Sequence, residues 1–389
     1  MFSSRVPDDR TPNRLARALA RARERGGLAD LTVSNPTRAG ISYPADLLAG
    51  LADPAALDYA PSPFGLPAAR DAIRAEYARR GIDITSDRIV LTASTSEAYS
   101  LLFKLLCEPG RSTALTPAPS YPLFDHLTRL DGVGQRRYLL EYHGVWTIDR
   151  DDLDAAWSDD TRVVLTVTPN NPTGALLDPA DADELVSRCA RRRAALIVDE
   201  VFCDYPLAAD AVADPPALSA GECLVFRLGG LSKTIGLPQV KLGWIAVQGP
   251  EADVAEALDR LELICDTYLS VSTPIQMAAP RLLTIGSVVR DSIRARVRGN
   301  YARLRSSIST SGGAAVLPAD GGWSAVVRVP AIRSEEALVL DLLERDRVVV
   351  HPGYFFDFPH EAFLVVSLLA DPDVFARGLR AIEARIHGA

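Results

Sequence analysis

The amino-acid sequence predicts an α/β protein with a large, mostly parallel sheet domain and a smaller α+β domain. Between about residues 67 and 250, short apolar runs alternate with helical stretches, which is typical of a layered α/β domain. Several runs are apolar nearly throughout, as expected of parallel strands that are covered on both faces. Beyond residue 250, long helices come first and short strands follow. We therefore assign residues 46–285 to the large domain, and residues 1–45 with 286–389 to the small one.

The elements of the large domain follow from these patterns. The predicted strands are the apolar runs Arg88–Thr92, Ala114–Thr116, Val163–Val167, Ala195–Val198, Leu224–Arg227 and Leu242–Val247. The predicted helices are Pro67–Arg80, Glu97–Leu106 and Pro179–Arg193. Because ligands bind at the carboxyl ends of parallel strands, the residues that follow each run are the candidates for a functional site.

The segment after residue 250 is predicted to supply the smaller domain, together with a polar, Arg-rich and helical N-terminal arm. Its predicted helices are Glu251–Leu269, an amphipathic Thr273–Ser311, Ser334–Glu344 and Asp373–His387. Its predicted strands are Trp323–Val329, Val348–Val350 and Leu364–Ser367.

Composition argues against several functional classes. The chain has 389 residues, of which 48% are hydrophobic, and a formal net charge of −8. The apolar content supports a sizeable core, and the acidic balance counts against binding to nucleic acid or anionic membranes. The five cysteines are scattered, which favours neither a disulfide framework nor a metal site, and no apolar run is long enough to span a membrane. We expect a cytoplasmic protein.

The first strand leads into a run of hydroxyl side chains, Ser94, Thr95 and Ser96, at the start of a helix. Free backbone N–H groups and the positive end of the helix dipole would bind an anion such as a phosphate here. Serine and threonine are also common helix caps, so an ordinary N-cap is the alternative.

Aromatic and polar residues follow the next three strands. Tyr121 lies in a proline-rich loop, where packing is its alternative role, and Asn171 lies in the loop Pro169–Gly174. Proline and glycine hold that loop in one shape, and it displays a side-chain amide. Asp199 directly follows an apolar strand, where a carboxylate needs a cationic partner or hydrogen bonds.

The positions of the lysines point to covalent chemistry. Of the 42 basic residues, 39 are Arg and three are Lys, a ratio that we attribute to a coding preference. Two of the three, Lys233 and Lys241, nevertheless lie in one loop after the fifth predicted strand. An amine can form a Schiff base and a guanidinium cannot, which gives a chemical reason for a lysine in this loop.

In this order, the motifs resemble those of the class I/II, fold-type-I pyridoxal-phosphate aminotransferases. The resemblance runs from about residue 30 to 385 and rests on Tyr59 with Gly65, then Ser-Thr-Ser, Pro-Ser-Tyr, Asn-Asn-Pro-Thr-Gly, Asp-Glu-Val-Phe, and Ser-Lys with a basic residue eight positions later. It implies a fold-type-I transferase that binds pyridoxal 5'-phosphate and acts on a small-molecule amino donor and a keto acceptor. It also implies a homodimer with a shared active site.

The resemblance implies a role for each matching residue. Lys233 would form the Schiff base and be the general acid/base, and Asp199 would pair with the protonated pyridine nitrogen. Tyr121 would stack on the ring, and Asn171 would hydrogen-bond its 3-oxygen. The other residues implied at the cofactor are Ser94, Thr95 and Ser96 around the phosphate, Lys241 as its counter-charge, Phe202, Ser232, and Tyr59 from the neighbouring subunit.

Four positions depart from the family pattern. Phe202 stands where most relatives have a tyrosine, and Gly230 where many have a serine that binds the phosphate. Lys241 stands where arginine is usual, which keeps the charge but loses the bidentate geometry. Val365, in the segment Phe363–Ser367, stands where relatives carry the arginine that grips the substrate α-carboxylate.

Because valine cannot bind a carboxylate, either another residue binds it or the substrate lacks one at that place. We expect Arg38, in the early loop Ser34–Arg38, to bind it; a solvated loop arginine is the alternative. The aromatic segment His351–His360 precedes the valine. Most of its rings are expected in the core, while Tyr354 and His351 are candidates for the substrate side.

Three functional hypotheses follow. The first is an aminotransferase that moves an amino group between an amino acid or amine and a keto acid through a Schiff base at Lys233. The second is a lyase, decarboxylase or cyclising enzyme of specialised metabolism with the same cofactor, which the loss of the carboxylate arginine favours. The third is a regulator or binding module without the chemistry, against which the presence of both Lys233 and Asp199 argues.

Overall fold

The computed structural model describes residues 2–208, 218, 221–308 and 313–387. Within them the helices are α1 Arg14–Glu24, α2 Pro67–Arg79, α3 Thr95–Leu106, α4 Phe124–Leu130, α5 Arg150–Ala156, α6 Pro179–Arg192, α7 Leu231–Thr234, α8 Glu251–Tyr268, α9 Thr273–Ser307, α10 Glu335–Glu344 and α11 Pro372–His387. The strands are β1 Ala29–Asp30, β2 Ile89–Thr92, β3 Thr113–Ala118, β4 Gly134–Tyr142, β5 Trp146–Ile148, β6 Thr161–Val167, β7 Ala195–Asp199, β8 Val225–Gly230, β9 Gly243–Gln248, β10 Ala315–Val316, β11 Ser324–Arg328, β12 Val348–Val349, β13 His351–Pro352 and β14 Phe363–Ser367.

An eight-stranded sheet with the order β2-β9-β8-β7-β6-β3-β4-β5 forms the centre of the molecule. The neighbours from β8 through β7, β6 and β3 to β4 are parallel. Strand β9 is antiparallel to both β2 and β8, and β5 is antiparallel to β4. Every residue of β2, β3, β7 and β8 is buried, which explains why most of their residues are apolar. The predicted large and mostly parallel sheet is confirmed.

Strand β7 shows that both faces of this sheet are covered. Ile197 packs in a cluster with side chains of α3 and α8, while its neighbours Leu196 and Val198 pack with side chains of α5 and α6. Successive strand residues point to opposite faces, so the helices before and after the strand bury alternate residues. The helices thus cover the two faces of the sheet and leave the carboxyl ends of the strands uncovered.

The sequence did not reveal β4 and β5, the two strands at one edge of the sheet. Most residues of β4 are exposed or half-buried, so the strand lacks the apolar run that identifies the central ones. The predicted helix Thr273–Ser311 is present as α9 and ends at Ser307; residues 309–311 of that prediction lie outside the described residues.

A second sheet of four strands, in the order β10-β11-β14-β13, is formed by the C-terminal part of the chain and is antiparallel throughout. Strands β1 and β12 form a separate parallel pair, which ties the N-terminal segment to the same region. Helix α9 spans 35 residues and contacts both α2 and α11. Within the described residues no helix, α9 included, has both the length and the apolar composition that crossing a bilayer requires.

Candidate active site

A cavity of about 300 Å³ lies where the carboxyl ends of the central strands meet the four-stranded sheet. What we call the large-sheet wall consists of Thr95, Tyr121, Pro122, Val167, Asn171, Asp199, Val201, Phe202, Ser232 and Lys233. What we call the small-sheet wall consists of Thr32, Ser34, Trp323, Ser324, His351, Phe356, Val365 and Ser367. The two walls come from residues far apart in the chain, so the cavity exists only in the folded molecule.

Asp199 ends β7 and is buried. Its carboxylate accepts hydrogen bonds from the Tyr99 hydroxyl at 2.9 Å and from the backbone N–H of Val201 at 3.1 Å. Burial raises the pKa of Asp199 to about 6, even though both hydrogen bonds and the charge of Lys233 act to lower it. The hydrogen bonds and the positive charge near Asp199 therefore do not fully offset the cost of burying its carboxylate.

Lys233 lies in α7, the single helical turn that follows β8. The Tyr205 hydroxyl donates to its backbone carbonyl, and the Nζ atom lies over the rings of Trp323 and Phe202, at 4.9 and 5.6 Å from their centroids. Burial lowers the pKa of this amine, against the opposing effect of Asp199. A lysine with a lowered pKa presents more of the neutral amine, which is the nucleophilic and basic form.

Two adjacent asparagines follow β6, and only the second lines the cavity. Asn170 is buried and holds the loop together, since its Oδ1 accepts from the Thr173 hydroxyl at 2.9 Å and its amide donates to Ser120. Asn171 is half-buried, and its Oδ1 accepts a long 3.4 Å hydrogen bond from the Ser324 hydroxyl. The amide of Asn171 is thus the one displayed toward a ligand, as the sequence predicts.

The hydroxyl run that follows β2 forms the N-terminus of α3. Ser94 is the N-cap and accepts from the backbone N–H of Glu97 at 3.1 Å, while the Glu97 carboxylate accepts from the N–H of Ala93 at 2.6 Å. This pairing is a variant of the capping box, because the N–H that Glu97 binds is that of the residue before the N-cap. Ser94 is therefore the N-cap that the alternative interpretation predicts, and the anion site stays a prediction. Strand β9 lies against this loop, and a Cβ at Gly243 would be 2.9 Å from the Ser94 carbonyl carbon.

Not every predicted site residue lines this cavity. Thr95, Tyr121, Asn171, Asp199, Phe202, Ser232 and Lys233 do; Ser94, Ser96, Lys241, Tyr59, Arg38 and Tyr354 are not among its lining residues. Lys241 is exposed with a left-handed φ of 58°, and Arg38 is exposed at the end of the 3-10 turn Pro36–Arg38. Tyr354 is 40% exposed. That Arg38 and Tyr354 bind the substrate remains a prediction, since neither residue lines the cavity of the single chain.

Sequence reasoning missed most of the small-sheet wall. Ser324 and Ser367 reach the cavity because β11 and β14 pair beside it, and Trp323 directly precedes β11. Thr32 and Ser34 reach it because the segment after β1 is bonded to Ser367, which donates to the carbonyls of Leu31 and Val33. The available signal was the Phe363–Ser367 segment, whose Val365 does line the cavity. His351 also lines it, whereas its aromatic neighbours Phe355 and Tyr354 do not.

The fold and the site together define a fold-type-I aminotransferase. The chain belongs to the family of class I and II aminotransferases: the family model described as aminotransferase class I and II matches residues 47–382. It is therefore an enzyme, a transferase of amino groups, and the family uses pyridoxal phosphate. The predicted family, fold class and enzyme class are confirmed.

Named relatives and solved structures agree with this membership. The chain is 27% identical over 354 residues to glutamate-pyruvate aminotransferase of Escherichia coli, covering 88% of this chain and 87% of that protein. It is 26% identical over 339 residues to alanine aminotransferase of Mycobacterium tuberculosis, covering 85% of this chain and 78% of the relative. The solved alanine aminotransferase from Pyrococcus furiosus has the same fold, with a TM-score of 0.88 at 22% identity and full coverage of both chains.

Proposed function

We propose that this aminotransferase binds pyridoxal 5'-phosphate in the cavity and holds it covalently through Lys233. The observation that carries the proposal is that four residues at the ends of four different strands line one cavity: Lys233, Asp199, Asn171 and Tyr121. The same four residues are those that the family resemblance assigns to the cofactor ring and its attachment.

The residues present fit this cofactor. A pyridinium nitrogen beside Asp199 would supply the counter-charge that the buried carboxylate lacks and would lower its pKa from about 6. The N-terminus of α3, with Thr95 on the cavity wall, suits a phosphate. Tyr121 packs edge-on against Phe124 at 5.7 Å and lines the cavity, which supports stacking on the cofactor ring.

When bound, the cofactor supplies an electron sink for the electron pair released at the substrate carbon. The chain's own residues do the rest. Asp199 would hold the proton of the ring nitrogen, and Asn171 would donate from its amide to the ring oxygen. Once the substrate amine has taken the place of Lys233, the freed Nζ atom would accept the proton from the α-carbon of the substrate, and the lowered pKa of that amine favours the basic form. The rings of Phe202 and Trp323 lie 5.6 and 4.9 Å from the Nζ atom and would limit the access of water to it.

The substrates that we propose are an amino acid as donor and a keto acid as acceptor. The names of the relatives, glutamate-pyruvate and alanine aminotransferases, support alanine and glutamate as the first donors to test. Val365 in the cavity wall favours a second candidate, a lyase or decarboxylase with the same cofactor, because the orientation of the α-carbon determines which bond breaks. Release of ammonia or carbon dioxide without formation of a new amino acid would support this second candidate.

We also propose a homodimer in which Tyr59 reaches the phosphate of the neighbouring subunit. Tyr59 is 70% exposed and Leu57 is 91% exposed in the single chain, which supports burial of this segment against a second copy. A cytoplasmic location and the division of the chain into residues 46–285 and residues 1–45 with 286–389 are part of the same proposal.

Borohydride reduction of the cofactor-loaded enzyme, followed by peptide mass analysis, tests the attachment. We expect the reduced adduct on Lys233, and we expect Lys233→Ala to lose both the adduct and the conversion of alanine with a keto acid. Lys104→Ala is the control, because the Lys104 amine pairs with Asp131 at 2.5 Å on the surface. An adduct on another residue, or full turnover by Lys233→Ala, would refute the assignment.

A further inference from the structure

The small-sheet wall contains no permanent cation. None of the described residues that form it is arginine or lysine, and His351 is its one side chain that titrates near neutral pH. The hydroxyls of Ser367 and Ser324 already donate, to the backbone carbonyl of Val33 at 2.5 Å and to Asn171 at 3.4 Å. A carboxylate that entered this half of the cavity would lose its hydration, and burying it unpaired is costly.

The strand register places His351 beside the position where the family carries its carboxylate arginine. His351 in β13 and Val365 in β14 are directly opposite partners in an antiparallel pair. The side chains of such partners share one face of the sheet, with Cβ atoms about 4.5–5.5 Å apart. Both residues line the cavity. An imidazole on β13 therefore lies within reach of the space that a guanidinium on β14 would occupy.

The imidazole is held in place but has no polar partner of its own. Its ring contacts those of Phe355 and Phe356, with centroids 5.7 Å away in each case. Within the part of the chain that the structure describes, no residue hydrogen-bonds to either ring nitrogen. Burial lowers the pKa of His351, and Asp30 opposes this effect; the other titratable groups around the cavity are Lys233, Asp199 and Tyr121.

We infer that His351, in its protonated form, binds the carboxylate of the amino-acid substrate in place of the missing arginine. The inference rests on the proposed function, since it names the carboxylate ligand of that same site. Arginine stays charged at every accessible pH, whereas an imidazolium loses its proton near neutrality. Binding of a carboxylate would therefore take up a proton, and the affinity for amino acids would fall as the pH rises.

The pH dependence of two matched donors tests this. Alanine and isopropylamine differ only in a carboxylate replaced by a methyl group. For the cofactor-loaded wild type, we expect the ratio of the KM for alanine to the KM for isopropylamine to rise with pH. Above neutrality, this ratio should rise by up to about tenfold per pH unit. His351→Gln should raise the KM for alanine at about pH 6.5 by roughly tenfold or more and abolish this relative pH dependence. His143→Gln is the control, because that histidine is exposed and lies 3.0 Å from Glu141.

Restoring the family residue gives a second test. In the His351→Gln background, Val365→Arg should recover affinity for alanine and leave it independent of pH. Calorimetry of propionate binding to the wild type, in two buffers of different ionisation enthalpy, should show uptake of up to one proton per site. This measurement requires neither a variant nor catalytic turnover.

The outcomes separate the inference from the proposed function. No proton uptake by the wild type, or an unchanged pH profile in His351→Gln, would overturn the role of His351 while donors still react. If neither alanine nor isopropylamine changes the absorbance of the loaded enzyme, the proposed function itself fails.

Discussion

Replacing Asp199 with asparagine should make the cofactor-free protein more stable relative to the wild type as the pH rises, while it weakens the binding of pyridoxal phosphate. Asp199 is buried, and burial raises its pKa to about 6 from an ordinary value of 3.8. Asparagine has nearly the same shape, and its single amide oxygen can accept the hydrogen bond that Tyr99 donates, while the backbone N–H of Val201, which bonds the other carboxylate oxygen, loses its acceptor. That loss is the same at every pH, so it does not enter the pH dependence. The substitution therefore removes a buried charge and leaves the packing nearly unchanged.

The magnitude follows from the linkage between proton binding and folding. Because the folded-state pKa is above the unfolded one, the stabilising contribution of the protonated group is fully present below about pH 4 and is lost as the pH rises through about 6. Complete loss of this contribution lowers the free energy of unfolding by about 3 kcal/mol. About half of it, ~1.5 kcal/mol, falls between about pH 5 and pH 8.

Urea denaturation of the cofactor-free wild type and Asp199→Asn at these two pH values measures the effect. Other groups titrate in both proteins, so the difference between the two isolates Asp199. We expect the variant to gain about 1.5 kcal/mol relative to the wild type as the pH rises across this interval. Asp259→Asn, on the exposed face of α8, should follow the wild type.

An equal pH dependence for wild type and Asp199→Asn would refute the reasoning, because the carboxylate would then have an ordinary pKa in the folded protein. An Asp199→Asn variant that binds pyridoxal phosphate as tightly as the wild type would separately refute its pairing with the ring nitrogen.

Three further predictions concern other residues. Glu200→Gln should lower the free energy of unfolding by about 3–5 kcal/mol in urea, because a carboxylate that is 1% exposed bridges two buried guanidinium groups; Glu256→Gln, 64% exposed in its ion pair, should cost under about 1 kcal/mol. Gly243→Ala should weaken cofactor binding roughly tenfold in an absorbance titration, because its Cβ would lie 2.9 Å from the Ser94 carbonyl carbon and displace the loop. Phe202→Tyr should move the pH transition of the loaded enzyme's visible absorbance to lower pH, because a phenol donor stabilises an ionised ring oxygen; no movement would mean that residue 202 does not face that oxygen.

The sequence is sufficient to identify most of the large-sheet wall, because its polar residues stand where buried strands end. Asp199, Asn171 and Lys233 each come after an apolar run, and the carboxyl ends of parallel strands necessarily meet at one edge. A helix N-cap and a rigid turn are likewise encoded within a few residues, as at Ser94 and its capping partner Glu97. Edge strands such as β4 and β5 escape this reasoning, since exposure removes the apolar signal.

What the sequence determines by itself is the chemistry at the strand ends: a lysine amine, a carboxylate and a side-chain amide that local motifs place at one sheet edge. Only the tertiary structure decides what faces them. The pairing of β13 with β14 brings His351 opposite Val365, and no local pattern relates two residues that lie fourteen positions apart across a turn. The physical reason is that strand register depends on long-range pairing and on which face of the strand is buried in the core. The neighbouring residues determine neither of these.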